Sequence, residues 1–464
     1  MAHGSDLNGN AESIIQRQRQ FFLTGATRSL SFRKDQLRRL YENVRKYESR
    51  ILAALNADMH KPAFEAYSGE VGFVLEEIRF AIKNVDRWAK VTRVPTPLLH
   101  FRAHSEIHYD PYGTVLVIAP WNYPFQLLIA PVVGAIAAGN TVVVKPSEIA
   151  SATERVVVEL IGETFDDKFV AAYPGGVEAT KELLSHQFDY IFFTGGSAIG
   201  KIVMAAATKY LTPLTLELGG KSPAIVDKDA DLDVTARRLV WGKFYNAGQT
   251  CVAPDYLLVH KSIRDLLVEK IGREIEKSYG PEPMSSPDYA SIIDQRHFDR
   301  LTALIPTGKV LRGGQFDRAS RRIAPTLMEC QGMSEAVMAD ELFGPILPII
   351  AFESLDGAIA MVRERPNPLA LYFFSNDKSR QDRVIGELAF GGGCINDTLI
   401  HLGNPHLPFG GVGMSGMGGY HGKFSFEAFS HRKGIIRKAF RPDFPVRYAP
   451  YNRLKLRLIR LLMK

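Results

Sequence analysis

The chain has 464 residues, 46% hydrophobic and 23% charged, which is enough to bury a core of two or three domains. The net charge is +7, but residues 432–464 alone contribute +10, with eleven Lys and Arg and one Asp. The remaining chain therefore has a net charge near −3. No sequence motif supports nucleic-acid binding. The three cysteines form no paired framework, which predicts a reducing, cytoplasmic location. No apolar run reaches about 18 residues, so no membrane-spanning helix is expected.

The amino-terminal part of the chain has helical periodicity. Residues 1–10 are polar and lack the apolar core of a signal peptide. Residues 11–60 are predicted to form helices that break near Gly25, and residues 70–90 continue the pattern. Residues 101–109 alternate polar and apolar side chains, which is typical of an exposed strand.

From residue 113, apolar strand patterns alternate with helical patterns. Strands are predicted at 114–118, 141–145, 169–173, 189–193 and 214–218, and helices at 126–138, 153–164, 177–185 and 198–208. This alternation predicts a parallel sheet covered by helices, with ligands outside the carboxyl ends of the strands. Asn122, Lys145 and Thr194 lie at or just beyond strand ends, so we expect them along one edge.

The second half of the chain repeats this rhythm less regularly. A strand at 224–227, a helix at 232–245, a strand at 256–260 and helices at 262–278 and 378–389 are predicted. Residues 285–324 have a weak pattern and are predicted to be rich in loops. Residues 403–422 hold eight glycines, and we expect this long irregular stretch to wrap the active-site side.

Glycines after a predicted strand suggest an anion site. The segment Thr194-Gly195-Gly196-Ser197 precedes a predicted helix, with Ser197 near its amino terminus. Glycine lets the backbone approach a phosphate, and helix amino termini attract anions. The segment departs from the usual Gly-x-Gly-x-x-Gly spacing, so a phosphate loop and a plain tight turn both remain open.

Cys251 is the candidate nucleophile. It lies between a predicted helix and a predicted strand, beyond the helix-stop signals Asn246 and Gly248. Reactive groups are often held on loops between rigid elements, whereas packing cysteines lie inside apolar runs. Cys330 and Cys394 have no comparable flanking signature and are poor rivals.

Three further motifs accompany Cys251: Ala119-Pro-Trp-Asn122-Tyr-Pro-Phe125, Thr215-Leu-Glu217-Leu-Gly-Gly220 and Glu341-Leu-Phe343-Gly-Pro345. Together they resemble the aldehyde dehydrogenase superfamily from about residue 15 to residue 440. The stretches 188–196 and 420–426 resemble its class 3 branch, which includes fatty and aromatic aldehyde enzymes.

The resemblance implies an α/β fold with a Rossmann-like parallel-sheet cofactor domain, a second α/β catalytic domain and a small β oligomerisation arm. The implied divisions are 1–212 for the cofactor domain with an arm at 95–112, 213–420 for the catalytic domain, 421–446 for oligomerisation and 447–464 for a basic tail. It further implies a homodimer, with strand 101–109 and residues 432–440 as interface arms.

The implied reaction is NAD(P)-dependent oxidation of a medium- or long-chain aliphatic or an aromatic aldehyde to its carboxylate. Cys251 would attack the carbonyl, Asn122 would hold the oxyanion, and Glu217 would be the base that hydrolyses the thioester. Glu217 could instead be a structural carboxylate, and Asn122 a turn residue before Pro124. Two other functions remain open: a thioester-forming or esterase-like enzyme, and a catalytically silent structural or binding relative.

The resemblance also assigns contacts to NAD or NADP. Lys145 would bind the adenosine ribose, Glu148 could repel a 2′-phosphate, and Thr194, Gly195, Gly196 and Ser197 would receive the phosphates. Glu341 would bind the nicotinamide ribose or share the base role, and Phe343 would pack near the nicotinamide. A surface lysine and a core phenylalanine are the alternatives for Lys145 and Phe343.

The tail predicts a basic amphipathic helix. Arg453, Arg457, Arg460 and Lys464 fall on one helical stripe beside a stripe of leucines. A peripheral membrane contact through residues 453–464, a lid over the substrate mouth, a partner contact and a frayed end all remain open. The late histidines have no zinc-binding spacing, so we predict no metal. The aldehyde and the preference for NAD or NADP are left open.

Overall fold

The computed structural model describes residues 10–463 of the chain. Residues 1–9 of the polar stretch 1–10, and Lys464 of the basic stripe, lie outside the described residues. The first two helices, Ala11–Leu23 and Leu30–Met59, are separated at Gly25 as predicted. The φ of Gly25 is +76°, a left-handed conformation that glycine adopts without steric cost.

A six-stranded sheet takes five of its strands from the first half of the chain and one short strand from near its end. Across the sheet its strands are Gly416–Met417, Leu214–Glu217, Tyr190–Thr194, Thr114–Ile118, Thr141–Lys145 and Val170–Ala172. All neighbours pair in parallel except the short first strand. The helices between these strands are Gln126–Ala138, Ser151–Thr164, Val177–Ser185 and Ser197–Thr208. The central strands are buried throughout, which is typical of a parallel sheet covered on both faces.

A seven-stranded sheet follows in the second half. Across the sheet its strands are Lys309–Arg312, Thr326–Cys330, Ile346–Phe352, Tyr256–His260, Pro223–Val226, Ala370–Phe374 and Gly392–Ile395. Its helices include Leu232–Phe244, Arg264–Tyr279, Leu355–Arg363 and Lys378–Glu387. The predicted α/β class with Rossmann-like parallel sheets is confirmed.

A three-stranded antiparallel sheet forms a separate arm. Ala103–Pro111 is its central strand, flanked by Thr92–Val94 and Ser430–Lys438. The two stretches predicted as interface arms are therefore paired with each other within the chain. Most residues of Ser430–Lys438 are exposed, and this strand forms an edge of the sheet.

The region 285–324, predicted to be rich in loops, contains a helix that the sequence analysis missed. Gln295–Thr302 is helical, and Asp294 caps it by accepting a hydrogen bond from the His297 N–H. An acidic N-cap is a recognisable start signal, but eight residues are too few for a clear periodicity.

The tail forms the predicted helix, Arg453–Leu462, which has no buried residue. Within residues 10–463, no helix combines the length and apolar character needed to cross a bilayer.

The helix Gly72–Trp88 lies near the other end of the chain, and a π turn, Tyr67–Val71, leads into it.

Candidate active site

A strained turn precedes Cys251. The 3₁₀ turn Tyr245–Gly248 contains two non-glycine residues with positive φ, Asn246 at 54° and Ala247 at 51°. Such conformations cost energy and are often found at functional sites. A β-carbon on Gly248 would lie 2.4 Å from the carbonyl oxygen of Gly344. The turn is therefore packed against the loop that carries Glu341.

Cys251 lies where two cavities meet. The first has a volume of about 430 Å³ and includes Asn122, Glu217 and Glu341 in its wall. The second has a volume of about 710 Å³ and is mainly apolar and aromatic. Four residues line both cavities: Leu127, Cys251, Phe409 and Tyr420. Two different molecules could therefore reach the sulfur from two sides.

Asn122 is held rigidly in the first cavity. Its side-chain Nδ2 donates a hydrogen bond to the carbonyl of Gln249 at 3.0 Å. Its own carbonyl oxygen accepts from Lys61 Nζ at 3.1 Å and from Asn246 Nδ2 at 3.0 Å. A side-chain amide has two N–H donors, so one of them can serve a ligand.

Glu217 ends the strand Leu214–Glu217 and is buried. Within residues 10–463, neither oxygen of its carboxyl group has a hydrogen-bond partner. Burial raises the pKa of Glu217 well above its usual range. A β-carbon on Gly410 would lie 3.2 Å from Glu217 Oε1, so the glycine-rich stretch 403–422 packs against this carboxyl group as predicted.

Glu341 and Phe343 line the same cavity. Burial, with a contribution from the Asp255 carboxylate, raises the pKa of Glu341 to about 8. A β-carbon on Gly219 would lie 2.1 Å from Glu341 Oε2, so a larger residue there would displace this carboxyl group. Phe343 has a φ of +51° and an edge-to-face contact with Trp121, at 5.3 Å between ring centroids.

Cys251 is a neutral thiol in this environment. Burial raises its pKa above the usual range, and the nearby carboxylates of Glu341 and Glu217 act in the same direction. The thiolate is the nucleophilic form of cysteine. A reaction at this sulfur therefore needs a group that accepts its proton, and two carboxylates are close enough to influence it.

The glycine segment offers an anion site in the cavity wall. Thr194, Gly195 and Gly196 line the cavity, and the helix Ser197–Thr208 begins directly after them. Gly196 is the N-cap, and apart from its two chain neighbours no atom of the described residues lies within 4 Å of where its β-carbon would be. Within the described chain, Thr194 Oγ1 is buried without a hydrogen-bond partner. Free N–H groups at a helix amino terminus suit a pyrophosphate, so these residues fit a nicotinamide dinucleotide.

Three predicted cofactor residues lie outside the cavity wall. Lys145 is 2% exposed, and its Nζ donates to Pro146 O at 2.6 Å and to Glu148 Oε2 at 3.0 Å. The surface-lysine alternative for Lys145 is therefore wrong. Lys145 and Glu148 lie on either side of Ser147 in the chain, and Ser147 does line the cavity. Ser197 Oγ donates to the carbonyl of Met414 at 3.3 Å instead of pointing into the cavity.

Several wall residues were not predicted from the sequence. The missed helix contributes Arg296, His297 and Arg300 to the first cavity. The Arg300 guanidinium also donates to the Leu342 carbonyl and so braces the Glu341 loop. The larger cavity is lined by aromatic side chains from distant segments: Phe64, Phe73, Tyr123, Trp241 and Tyr245. Except for Tyr123, which adjoins Asn122, no local signal marks them.

The other cysteines line neither cavity. Cys330 is buried in a strand, and burial raises its pKa to about 12. Cys394 Sγ lies 3.5 Å from His401 Nδ1, a neighbour that the sequence analysis did not foresee. Burial raises the pKa of the Cys394 thiol and lowers the pKa of His401 to about 4, so this pair stays neutral at neutral pH. In the described part of the chain, no three His, Cys, Asp or Glu side chains are grouped to hold a metal ion.

Comparisons with known proteins agree on one family. A model of the aldehyde dehydrogenase family matches residues 7–435. The chain is 49% identical over 443 residues to the 4,4'-diaponeurosporen-aldehyde dehydrogenase of Staphylococcus aureus, covering 95% of this chain and 96% of that protein. It is 48% identical over 438 residues to a Mus musculus aldehyde dehydrogenase described as dimeric and NADP-preferring, covering 94% and 96%. A solved structure of the substrate-bound state of Staphylococcus aureus AldH has a TM-score of 0.96 at 48% identity and covers 98% of this chain and 100% of that chain.

Proposed function

The chain belongs to the aldehyde dehydrogenase family and is an NAD(P)-dependent oxidoreductase, and we propose that Cys251 is its nucleophile, Asn122 its oxyanion donor and Glu217 its hydrolytic base. The observation that carries this assignment is the position of Cys251. It lies where two cavities meet, and Asn122 and Glu217 share the wall of one of them. The membership agrees with the resemblance seen in the motifs.

The first step is attack of the Cys251 sulfur on the aldehyde carbonyl. Because burial keeps this thiol neutral, its proton passes to a neighbouring carboxylate, Glu217 or Glu341, which releases it to solvent before the hydrolysis step. The attack turns the carbonyl oxygen into an oxyanion. The remaining N–H of the Asn122 amide and the Cys251 backbone N–H stabilise that charge, and loss of one such donor typically costs about 3 kcal/mol.

In the second step the tetrahedral carbon loses a hydride. Bound NAD(P) would supply the acceptor for the hydride that leaves the tetrahedral carbon. Residues 194–196 would hold its pyrophosphate, Glu341 would hold the nicotinamide ribose, and Phe343 would pack beside the ring. A thioester then remains on Cys251. Glu217 takes a proton from water, the hydroxide attacks the thioester, and the carboxylic acid leaves with the sulfur restored.

We propose that the substrate is an apolar aldehyde of medium to long chain or an aromatic aldehyde. The larger cavity, at about 710 Å³, is lined mainly by aromatic and aliphatic side chains and ends at Cys251. Such walls favour binding of apolar ligands. The Staphylococcus aureus relative is named for 4,4'-diaponeurosporen-aldehyde, which supports the proposal.

The domain division and the dimer are also proposals. Residues 1–212 would form the cofactor domain and 213–420 the catalytic domain. The exposed edge strand Ser430–Lys438 would pair with a second copy of the chain, since an unpaired strand edge readily accepts another strand. The description of the mouse relative as dimeric supports this arrangement.

The tail helix is proposed as a peripheral membrane contact. Arg453–Leu462 carries exposed leucines, with Leu454 66% and Leu461 72% exposed, beside four basic residues. Apolar and cationic stripes on one short helix suit an anionic lipid surface. Sedimentation with anionic liposomes compares the full-length protein with residues 1–446. Stronger binding by the full-length protein supports the contact, and equal binding rejects it.

One assay tests the main proposal against the alternatives. The production of reduced nicotinamide from an aldehyde is measured with and without coenzyme A, for wild type and Cys251→Ala. We expect activity in wild type, no need for coenzyme A, and its loss in the variant. Activity only with coenzyme A would favour a thioester-forming enzyme, and no activity in wild type would favour a silent relative.

A further inference from the structure

Two lysine–carboxylate pairs are buried next to the loops that carry Asn122 and Glu341. In the first, Lys61 Nζ lies 2.5 Å from Glu70 Oε1, and both side chains are fully buried. In the second, Lys221 Nζ lies 2.6 Å from Asp255 Oδ2, with side chains 5% and 4% exposed. A buried ion pair is often no more stabilising than apolar residues of similar size. Stability alone therefore does not account for these pairs.

The first pair holds the segment 122–126 at both ends. Lys61 Nζ donates to the carbonyl of Asn122 at 3.1 Å. Glu70 Oε2 accepts the N–H of Phe125 at 2.9 Å and of Gln126 at 3.3 Å, at the start of the helix that follows. Between these points, Lys61 Nζ lies 4.2 Å from the centre of the Tyr123 ring. The pair thus fixes the backbone from which the Asn122 amide projects.

The second pair holds the loop around Glu341 in the same manner. Lys221 Nζ donates to the carbonyls of Val337 at 2.9 Å and Asp340 at 3.0 Å. Asp255 Oδ1 accepts the N–H of Leu342 at 3.0 Å. The residues on either side of Glu341 are therefore both tied to one ion pair.

Both pairs use the same physical device. Each lysine binds loop carbonyls and each carboxylate binds loop N–H groups, which in a buried loop would otherwise lack the partners that helices and strands provide. Hydrogen bonds with a charged member are shorter and about twice as strong as neutral ones. One ion pair can therefore fix both kinds of backbone group in a loop of irregular shape.

We propose that the two pairs are positioning devices with separate tasks. Lys61 and Glu70 position the Asn122 amide for the oxyanion, and Lys221 and Asp255 position Glu341 for the nicotinamide cofactor. The proposal rests on the roles of Asn122 and Glu341 in the proposed function. None of these four residues touches aldehyde or cofactor. Each pair should nevertheless affect one quantity more than the other: the rate of the first turnover or the affinity for the cofactor.

The test measures two quantities for each variant. The first is the rate of nicotinamide reduction in the first turnover with aldehyde and saturating cofactor. The second is the dissociation constant of NAD or NADP, measured by calorimetry. We expect Lys61→Met to lower the first-turnover rate by about tenfold or more, because a small displacement of a catalytic group is costly, and to change the dissociation constant by less than about twofold.

The second pair should show the opposite bias. Lys221→Met is expected to raise the dissociation constant of the cofactor by about tenfold, because the Glu341 loop is no longer fixed. Its first-turnover rate at saturating cofactor should fall less than that of Lys61→Met. The double variants Lys61→Met/Glu70→Leu and Lys221→Met/Asp255→Leu leave no buried unpaired charge. If a single variant does not fold, the first-turnover rate and the cofactor dissociation constant are measured on the corresponding double variant instead.

A third ion pair provides the matched control. Arg380 pairs with buried Asp227, which follows the carboxyl end of the strand Pro223–Val226. Cys251 and Glu341 precede the amino ends of parallel strands in the same sheet, so this pair lies at the opposite end. Arg380→Met should change neither readout.

Equal losses in both readouts for both pairs would mean a general structural role and would overturn the proposal, as would wild-type values throughout. Failure of the proposed function has a different signature. In that case Cys251→Ala would retain first-turnover activity whatever the ion-pair variants do.

Discussion

The two cavities that meet at Cys251 differ in how the chain builds them. The wall of the smaller cavity comes largely from short continuous segments at strand ends, such as 119–122, 194–196 and 217–219. The wall of the larger cavity combines loop segments, such as 250–252 and 402–405, with isolated aromatic side chains from separate helices, such as Phe64, Phe73 and Trp241. We expect the smaller cavity to hold the cofactor and the reacting groups, and the isolated aromatic side chains of the larger cavity to select the substrate.

The largest expected effect is at the residue that the cavities share. Cys251→Ala should lower aldehyde oxidation by roughly three orders of magnitude or more, because the covalent intermediate cannot form. Cofactor binding, measured by calorimetry, should persist. Cys394→Ala is the control, since Cys394 lines neither cavity, and it should retain activity. Substantial activity in Cys251→Ala would place the chemistry elsewhere.

On the cofactor side, Asn122→Ala should lower kcat by about a hundredfold or more, which corresponds to about 3 kcal/mol of oxyanion stabilisation. The dissociation constant of the cofactor should change little, because the substitution removes an amide and not a phosphate contact. Asn376→Ala, an exposed asparagine on the far side of the second sheet, is the control. A loss confined to KM would contradict the oxyanion role.

The carboxyl group of Glu341 should make stability depend on pH. Burial raises the pKa of this group from its ordinary value of about 4.5 to about 8. Because the folded pKa lies above the unfolded one, this contribution to stability is fully present below about pH 4.5 and is lost as the pH rises through about 8. In Glu341→Gln without cofactor, we expect the free energy of unfolding to fall between these limits by about 5 kcal/mol less than in wild type, which is the difference between the two pKa values at about 1.4 kcal/mol per unit.

Chemical denaturation across this pH range checks the expectation for Glu341. Glu178→Gln, at an exposed helix position, should follow the wild-type curve. A Glu341→Gln curve that runs parallel to the wild-type curve would show that the carboxyl group ionises equally in both states.

On the substrate side, single changes should have small and selective effects. Trp241 lies in the wall of the larger cavity and is 40% exposed. Trp241→Ala should raise the KM for long apolar aldehydes by about fivefold, or about 1 kcal/mol of lost apolar burial, and leave short aldehydes and the cofactor unaffected. Leu266→Ala, an exposed apolar residue on another helix, is the control. An equal change for short and long aldehydes would argue against this cavity as the substrate site.

The difference between the cavities also explains what the sequence could predict. The strands Thr114–Ile118, Thr141–Lys145 and Tyr256–His260 were predicted to the residue, because continuous apolar runs between turn signals are specific. Asn122, Glu217, Cys251 and Glu341 each lie in a motif with distinctive neighbours. The structure then brings these four residues together around one cavity.

The residues that the sequence analysis missed lack such local signals. Phe64 and Trp241 resemble any apolar residue of an amphipathic helix until the fold brings them to one cavity. The short helix Gln295–Thr302 has too few residues for a periodicity. Lys61 and Lys221 look like surface lysines in the sequence. A lysine is seldom fully buried without a charged partner, and no motif in the sequence identifies Glu70 or Asp255 as that partner.

We propose that Cys251 carries the acyl group and that Glu217 activates the water that removes it. Glu217→Gln tests this most directly, by mass spectrometry of the intact protein and its peptides after mixing with an aldehyde and NAD or NADP. We expect one equivalent of reduced nicotinamide and an acyl group that accumulates on Cys251. Wild-type turnover without an adduct, or an adduct on another residue, would contradict it.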